Sequence, residues 1–170
     1  GFPARRNEAE SRGKLRGIGI ANVIERSASP APEFGEIRFS PSGRVTLLMG
    51  TKDQGQGHET MYKQIAAESL GISPNDMRFV DGDTDQVAFG TGTMGSRSAA
   101  IGGSALYKAA QKIIEKGIKI AAHLMEAGES DIEFSSGVFT IKGTDRSITI
   151  KETAIAAFKP SQLPDNMEPG

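Results

Sequence analysis

Apolar positions recur at helical spacing in two long stretches of the chain. The first stretch, residues 58–70, places its apolar side chains on one face and is followed by Gly71, a typical helix stop. The second stretch, residues 98–127, is longer. We expect Gly117 to kink or divide this second helix and Gly128 to cap it.

Strand-like patterns occupy much of the remaining chain. The clearest is a hairpin in which segments 34–39 and 44–49 flank the turn Ser40–Gly43, with Pro and Gly where a type I turn prefers them. An earlier β-like run, residues 14–25, is expected to form an extended entry strand. The other predicted elements are strands at 77–80, 132–134, 138–141 and 147–150, and a last helix around 150–158.

This mixture of hairpin strands and helices is typical of an α+β fold. We expect a two-layer sandwich in which helices pack on one face of a mixed β-sheet. Residues 1–13 are interpreted as a linker or frayed terminus, residues 14–158 as one folded domain, and residues 159–170 as a C-terminal tail or linker. The chain is interpreted as a piece of a longer polypeptide, with a complete processed protein as the alternative.

Composition narrows the classes of partner and compartment. The 20 Lys and Arg residues nearly balance the 21 Asp and Glu residues, so a nucleic-acid partner is not expected. The absence of cysteine excludes disulfides and thiolate metal sites within this chain. The sequence has no apolar run of membrane-spanning length, and residues 1–14 lack the apolar core of a signal peptide. These features favour a cytoplasmic protein without a membrane span.

Two glycine-rich segments carry the most functional information. The first glycine loop, Gly50–Gly57, and the second glycine loop, Gly90–Ser98, each stand just ahead of a predicted helix. Glycine allows the backbone to approach a ligand closely, and a helix N-terminus offers unpaired N–H groups that favour anions. Two such loops in one small domain indicate a large, phosphate-bearing ligand.

More familiar loop motifs fit these segments poorly. Gly90–Gly95 satisfies G-x-G-x-x-G, but it lacks the firm preceding strand and the later acidic residue of a dinucleotide site, and no Gly-Lys-Ser/Thr follows for a P-loop. The aspartates at 81, 83 and 85 imitate an EF-hand start, but the loop lacks the required Gly and Glu. We expect these carboxylates to stabilise a turn.

For His58, helix capping and loop support are favoured over a general-base role.

The side chains left as candidates for ligand binding are uncharged donors and one guanidinium. They contain no nucleophile–base pair, so they would bind and orient a ligand, and no catalytic or metal-ligating residue is predicted. The alternative is that the loops are tight turns with helix caps, Ser98 being a suitable cap for the long helix. The candidate cofactor-binding residues are Gln54, Gly55, Gln56, Gly57, Thr93, Gly95, Ser96, Arg97 and Ser98.

Three segments in order, residues 50–60, 82–85 and 89–98, make the chain resemble a known family. It is similar to the molybdenum-binding large subunit of the molybdenum hydroxylases, the xanthine dehydrogenase and aldehyde oxidase family, with most likeness to the branch containing aerobic carbon monoxide dehydrogenase. The resemblance implies a molybdenum–molybdopterin cofactor, commonly a cytosine dinucleotide in bacteria. It also implies that Gly55 and Gln56 approach the pterin and metal.

By the same resemblance, the second glycine loop lies beneath the metal and its residues Thr93, Gly95, Ser96 and Ser98 hold the pterin phosphate. The family oxidises aldehydes, N-heterocycles or carbon monoxide and passes electrons to iron–sulfur and FAD-binding partners. The family's glutamate base and its substrate-side loop have no counterpart in this chain. We therefore expect the isolated chain to be inactive and without cofactor, and to need the remainder of the large subunit. A non-enzymatic small-ligand or phosphate-binding module is the alternative.

Overall fold

The structure, a computed structural model, describes residues 1–28 and 30–170. Its helices are α1 (Phe2–Ser11), α2 (His58–Leu70), α3 (Gly103–Leu124) and α4 (Ile150–Ala156). Its strands are β1 (Gly35–Phe39), β2 (Val45–Met49), β3 (Met77–Asp81), β4 (Ile132–Ser135), β5 (Val138–Ile141) and β6 (Ser147–Thr149). In the described part of the chain, no helix is both long and apolar enough to cross a membrane.

The strands form two sheets of three strands each. In the first sheet, β2 lies between β1, which is antiparallel to it, and β3, which is parallel to it. The second sheet, β4-β5-β6, is wholly antiparallel. The predicted α+β class is confirmed. The strands form two sheets where one mixed sheet was expected, and α3 contacts strands of both.

Helix α3 holds the two sheets together through two close approaches at glycines. A Cβ at Gly35 of β1 would lie 3.0 Å from the backbone nitrogen of Leu106, so α3 packs tightly on the first sheet. At Gly117 the ring of Phe139, from β5, occupies the space that a Cβ would need. The sequence suggested a kink or a division of the helix at Gly117, but α3 continues through this residue without a division. Gly117 instead admits an aromatic ring of the second sheet.

The ends of α3 also differ from the prediction. The helical stretch begins with a π-helical turn, Ser98–Gly102, before α3 itself. At the other end the left-handed residue is Glu126, with φ 52°, whereas Gly128 has φ −71° and precedes a short 3₁₀ turn. The expectation that Gly128 caps the long helix was wrong, because Met125 already closes it through its N–H bond to the carbonyl of Ala121.

Residues 1–13, expected to be a linker or frayed terminus, contain α1. Local interactions explain this helix: a proline stands in its first turn, and two ion pairs span i to i+4, Arg6–Glu10 at 3.1 Å and Glu8–Arg12 at 3.3 Å. The boundaries proposed for the folded domain stay a prediction.

The entry strand expected at residues 14–25 does not form. Residues 14–26 have no regular secondary structure, and their large apolar side chains are exposed. By contrast, the hairpin β1–β2, helix α2 with its left-handed Gly71 cap, and strands β3 to β6 lie where the sequence predicted them.

Candidate cofactor-binding site

The topology brings the two glycine loops together. The first loop follows β2 directly and the second follows β3 after a short acidic turn. Because β2 and β3 are adjacent and parallel, their carboxyl ends open at the same edge of the sheet. This is the edge at which open α/β sheets bind ligands.

Backbone packing at two glycines joins the loops. A Cβ on Gly50 would lie 2.7 Å from the Cα of Gly90, and a Cβ on Gly90 would lie 2.6 Å from the Cα of Gly50. Neither residue has a positive φ. These two glycines are therefore needed for contact between the loops, a role that sequence reasoning did not assign to them.

Hydroxyl groups add a polar connection between the loops. Thr93 Oγ1 donates to the carbonyl of Lys52 at 2.6 Å and accepts from the N–H of Lys52 at 3.1 Å. Beneath the loops, the buried hydroxyl of Tyr62 donates to the carbonyl of Ser98 at 2.8 Å and contacts Thr51 Oγ1 at 2.7 Å. Burial raises the pKa of Tyr62, so this hydroxyl keeps its proton as a donor.

In the first glycine loop, one carboxylate binds the backbone amides. Asp53 accepts from the N–H groups of Gly55 at 2.7 Å, Gln56 at 2.9 Å and His58 at 2.9 Å. These bonds, with that from Gly55 the strongest, lower the pKa of Asp53. The sequence predicted that the amides of this loop bind a phosphate. The structure shows that the amides of Gly55 and Gln56 already donate to a carboxylate of the same loop.

The neighbouring acidic turn supports this arrangement. Asp81 accepts from the N–H of Asp53 at 2.6 Å, and Asp83 accepts from the N–H of Asp85 at 3.0 Å. A bond from the side chain of Gln86 is the main cause of the lowered pKa of Asp83. The prediction that these carboxylates stabilise a turn is confirmed for Asp81 and Asp83.

His58 begins α2 with its side chain buried. Its backbone N–H is the group that Asp53 binds, and its ring packs edge-on against Tyr62 with centroids 5.7 Å apart. Its Nδ1 atom has no hydrogen-bond partner among the described residues. The predicted loop-supporting role is therefore filled by its backbone and ring.

The second glycine loop is held by a buried ion pair. The Arg97 guanidinium is fully buried and donates from Nη1 to the carboxylate of Glu33 and, at 2.9 Å, to the carbonyl of Gly92. From Nη2 it donates to the carbonyls of Ala31 at 2.6 Å and Pro32 at 3.0 Å. Arg97, a predicted ligand contact, thus connects the loop to the segment that precedes β1.

Glu33 completes this connection and was missed by sequence reasoning. Its carboxylate accepts from the N–H of Phe34 at 3.0 Å and from the N–H of Thr91 at 3.2 Å, in addition to Arg97. An isolated glutamate in a proline-rich break carries no local signal, because its partner lies 64 residues further along the chain.

The second loop leaves several backbone donors free. Among the described residues, none accepts a hydrogen bond from the amides of residues 93–96. Gly92, Gly95 and Ser96 all have positive φ angles, at 94°, 55° and 50°. Successive N–H groups in such a turn create a concavity that favours anions. The hydroxyl of Ser96 lies beside them, donating to Glu25 at 3.0 Å.

This donor set fits the phosphate of a molybdopterin. The open loop offers the backbone N–H groups of residues 93–96, and the buried Arg97 Nε has no partner among the described residues. In residues 1–28 and 30–170, no three His, Asp or Glu side chains lie close enough together to hold a metal ion. The role of each of the nine candidate residues in binding stays a prediction.

The sequence model of the molybdopterin cofactor-binding domain matches residues 1–168. The chain therefore belongs to this family, and the resemblance to the molybdenum-binding large subunits of molybdenum hydroxylases is confirmed. In the solved structures, the Cu,Mo-CO dehydrogenase in its carbon monoxide reduced state is similar, with a TM-score of 0.80 and 40% identity. That match covers 99% of this chain and 23% of the other.

Two curated relatives show how much of a longer protein this chain represents. It is 42% identical to the carbon monoxide dehydrogenase large chain of Afipia carboxidovorans, over 97% of this chain and 22% of the relative. It is 37% identical to the 6-hydroxypseudooxynicotine dehydrogenase complex subunit gamma of Paenarthrobacter nicotinovorans, over 93% of this chain and 20% of the relative. The chain spans about a fifth of the length of these relatives.

Proposed function

We propose that this chain is the molybdopterin-binding part of the large subunit of a molybdenum hydroxylase and takes the cofactor as its cytosine dinucleotide. The observation that carries the proposal is the second glycine loop, which is held from below by Arg97 and Glu33 while its amides at 93–96 stay free. Family membership supports the pterin, and the anion-favouring geometry of the loop supports a phosphate at this position.

Each loop has its own task in this proposal. The free amides of the second loop, those of Thr93, Gly95 and Ser96 among them, bind the phosphate. The hydroxyls of Thr93 and Ser96 keep their bonds to Lys52 and Glu25, whereas the hydroxyl of Ser98, whose contact with Thr93 is long at 3.4 Å, adds a donor. In the first loop Gln54, Gly55, Gln56 and Gly57 face the pterin. Gly55 and Gly57 have positive φ and open space around them, and the Gln56 side-chain oxygen accepts from the N–H of Gln54, which leaves its NH₂ group to donate outward.

When bound, the cofactor supplies the redox chemistry, and the residues of this chain position it. The buried network of Thr51, Tyr62 and Ser98 fixes the floor beneath both loops, so that the free amides keep their direction without reorganising. The same network excludes water from the floor of the site, because these three residues are buried.

In the parent enzyme, we propose oxidation of an aldehyde, an N-heterocycle or carbon monoxide with water-derived oxygen. The partners would be the remainder of the large subunit and iron–sulfur and FAD-binding subunits, in the cytoplasm. The isolated 170-residue chain should show no oxidation of these substrates, because the glutamate base that the family resemblance implies has no counterpart in this chain and a general base typically contributes about 10²–10⁴-fold. Turnover by the purified chain in a dye-reduction assay would contradict this.

Molybdenum content tests the proposal directly. In the large subunit, Gly95→Val should abolish loading, since Gly95 has φ 55° and a β-branched residue adopts that conformation poorly. Gly143→Val is the matched control, because Gly143 has φ 75° but lies in the turn between β5 and β6, away from the loops. Elemental analysis should find molybdenum in the control and none in Gly95→Val. Full loading of Gly95→Val would overturn the assignment.

The identity of the bound ligand distinguishes the proposed function from the non-enzymatic alternative. A small-ligand or phosphate-binding module would contain neither molybdenum nor a cytosine nucleotide when purified from a molybdenum-replete host. Release of equal amounts of molybdenum and cytidine monophosphate after acid treatment would exclude it.

A further inference from the structure

The N-terminal apolar segment, residues 14–26, exposes an unusual amount of apolar surface. Its five large apolar side chains are between 67% and 99% exposed, although the apolar pattern of residues 14–25 predicts a strand. Large apolar side chains clustered in one exposed stretch are typical of interaction sites. The exposed residues are Leu15, Ile18, Ile20, Val23 and Ile24.

Two glycines in this segment have no explanation within the domain. Gly17 and Gly19 do not have positive φ, and a Cβ added to either would meet nothing within 4 Å. They alternate with Ile18 and Ile20, so an extended strand would, over residues 17–21, have large side chains on one face and small ones on the other. Glycine inside a strand often marks the close approach of another backbone.

We propose that residues 14–26 form a strand that pairs with a sheet edge in the part of the large subunit outside this chain. This rests on the proposed function, in which the chain is one portion of a longer subunit. The Afipia relative matches 97% of this chain, while 78% of that relative lies outside the match, since the match covers 22% of it. The rest of the subunit is the favoured partner because it belongs to the same polypeptide and therefore accompanies this segment in every molecule.

The segment also connects to the site. Glu25, near its end, accepts a hydrogen bond from Ser96 at 3.0 Å, and the N–H of Ala28 donates to the carbonyl of Ser96 at 3.3 Å. Docking of the segment would thus fix the second glycine loop from its outer side, while Arg97 and Glu33 fix it from below. The conformation of the second glycine loop would then depend on the assembly of the large subunit.

Hydrogen exchange in the intact, unmodified large subunit tests this proposal. The amides of residues 17–24 should exchange at least about 100-fold more slowly than in a free peptide of residues 14–26. Exchange at the peptide rate would overturn the proposal. Protection that disappears on dilution of the subunit would also overturn it, since it would identify a second copy as the partner.

A pair of variants sharpens the result. In the large subunit, Ile20→Asp should raise exchange at residues 17–24 to within about tenfold of the peptide rate, whereas Ser130→Asp, at an exposed turn, should leave it unchanged. Unchanged protection in Ile20→Asp would overturn the proposal. Molybdenum measured in the same samples separates the two claims: protection without molybdenum contradicts the proposed function alone, and molybdenum without protection contradicts the docking alone.

Discussion

The two glycine loops look alike in sequence and differ in how they are stabilised. In the first loop, Asp53 binds two amides of the loop itself, those of Gly55 and Gln56, and the amide of His58 at the start of α2. The second loop is held by an ion pair beneath it and leaves the amides of residues 93–96 without partners among the described residues. Glycine content alone therefore does not identify an anion site; what matters is whether an internal carboxylate already binds the amides.

The comparison also separates two uses of glycine. Gly50 and Gly90 allow the loops to touch, since a Cβ on either would meet the backbone of the other. Gly55 and Gly57 have open space around them and positive φ angles of 104° and 78°. The first pair serves packing, and the second pair serves the backbone conformation of an exposed loop tip.

The largest expected effect comes from breaking the ion pair of the second loop. Arg97→Ala should lower the free energy of unfolding by about 3–5 kcal/mol, because it leaves the carboxylate of Glu33 buried and unpaired. Arg38→Ala is the control: its ion pair with Glu36 is exposed, and its loss should cost about 0–1 kcal/mol. Urea denaturation measures both. Equal costs for the two variants would show that the buried pair does not hold the loop.

A smaller effect is expected where the loops touch. Gly50→Ala and Gly90→Ala should each destabilise the chain by about 1–3 kcal/mol, the usual cost of overpacking. Gly17→Ala, with open space at its Cβ, should change the free energy of unfolding by less than about 0.5 kcal/mol. If the two loop variants match this control in urea denaturation, the loops do not depend on their backbone contact.

The smallest expected effect is the loss of the Asp53 hydrogen bonds at low pH, which concerns the first loop alone. Asp53 has a lowered pKa, so its contribution is complete above the ordinary value of 3.8 and is lost only as the pH falls through the lower, folded-state value. The ¹⁵N–¹H NMR signals of Gly55, Gln56 and His58 should therefore shift together below pH 3.8. Asp53→Asn should abolish this shared titration. Its persistence in the variant would assign it to another carboxylate.

Local patterns predicted most elements well. Helix α2 and its Gly71 cap, the β1–β2 hairpin and the later short strands follow from side-chain periodicity and turn chemistry, which act over a few residues. Helix α1 was missed because ion pairs and a first-turn proline stabilise it without an apolar stripe. The entry strand at residues 14–25 was predicted but is absent: a strand needs a neighbour, and no strand among the described residues pairs with this segment.

The sequence by itself determined the α+β class, the two glycine loops and the family to which the chain belongs, because these depend on motifs read within short segments. Only the tertiary structure decided how the loops work. The pairing of Glu33 with Arg97 spans 64 residues, and the contact between Gly50 and Gly90 arises from parallel pairing of β2 and β3. Interactions between residues far apart in sequence leave no local pattern, so the fold is needed to show which amides are bound and which stay free.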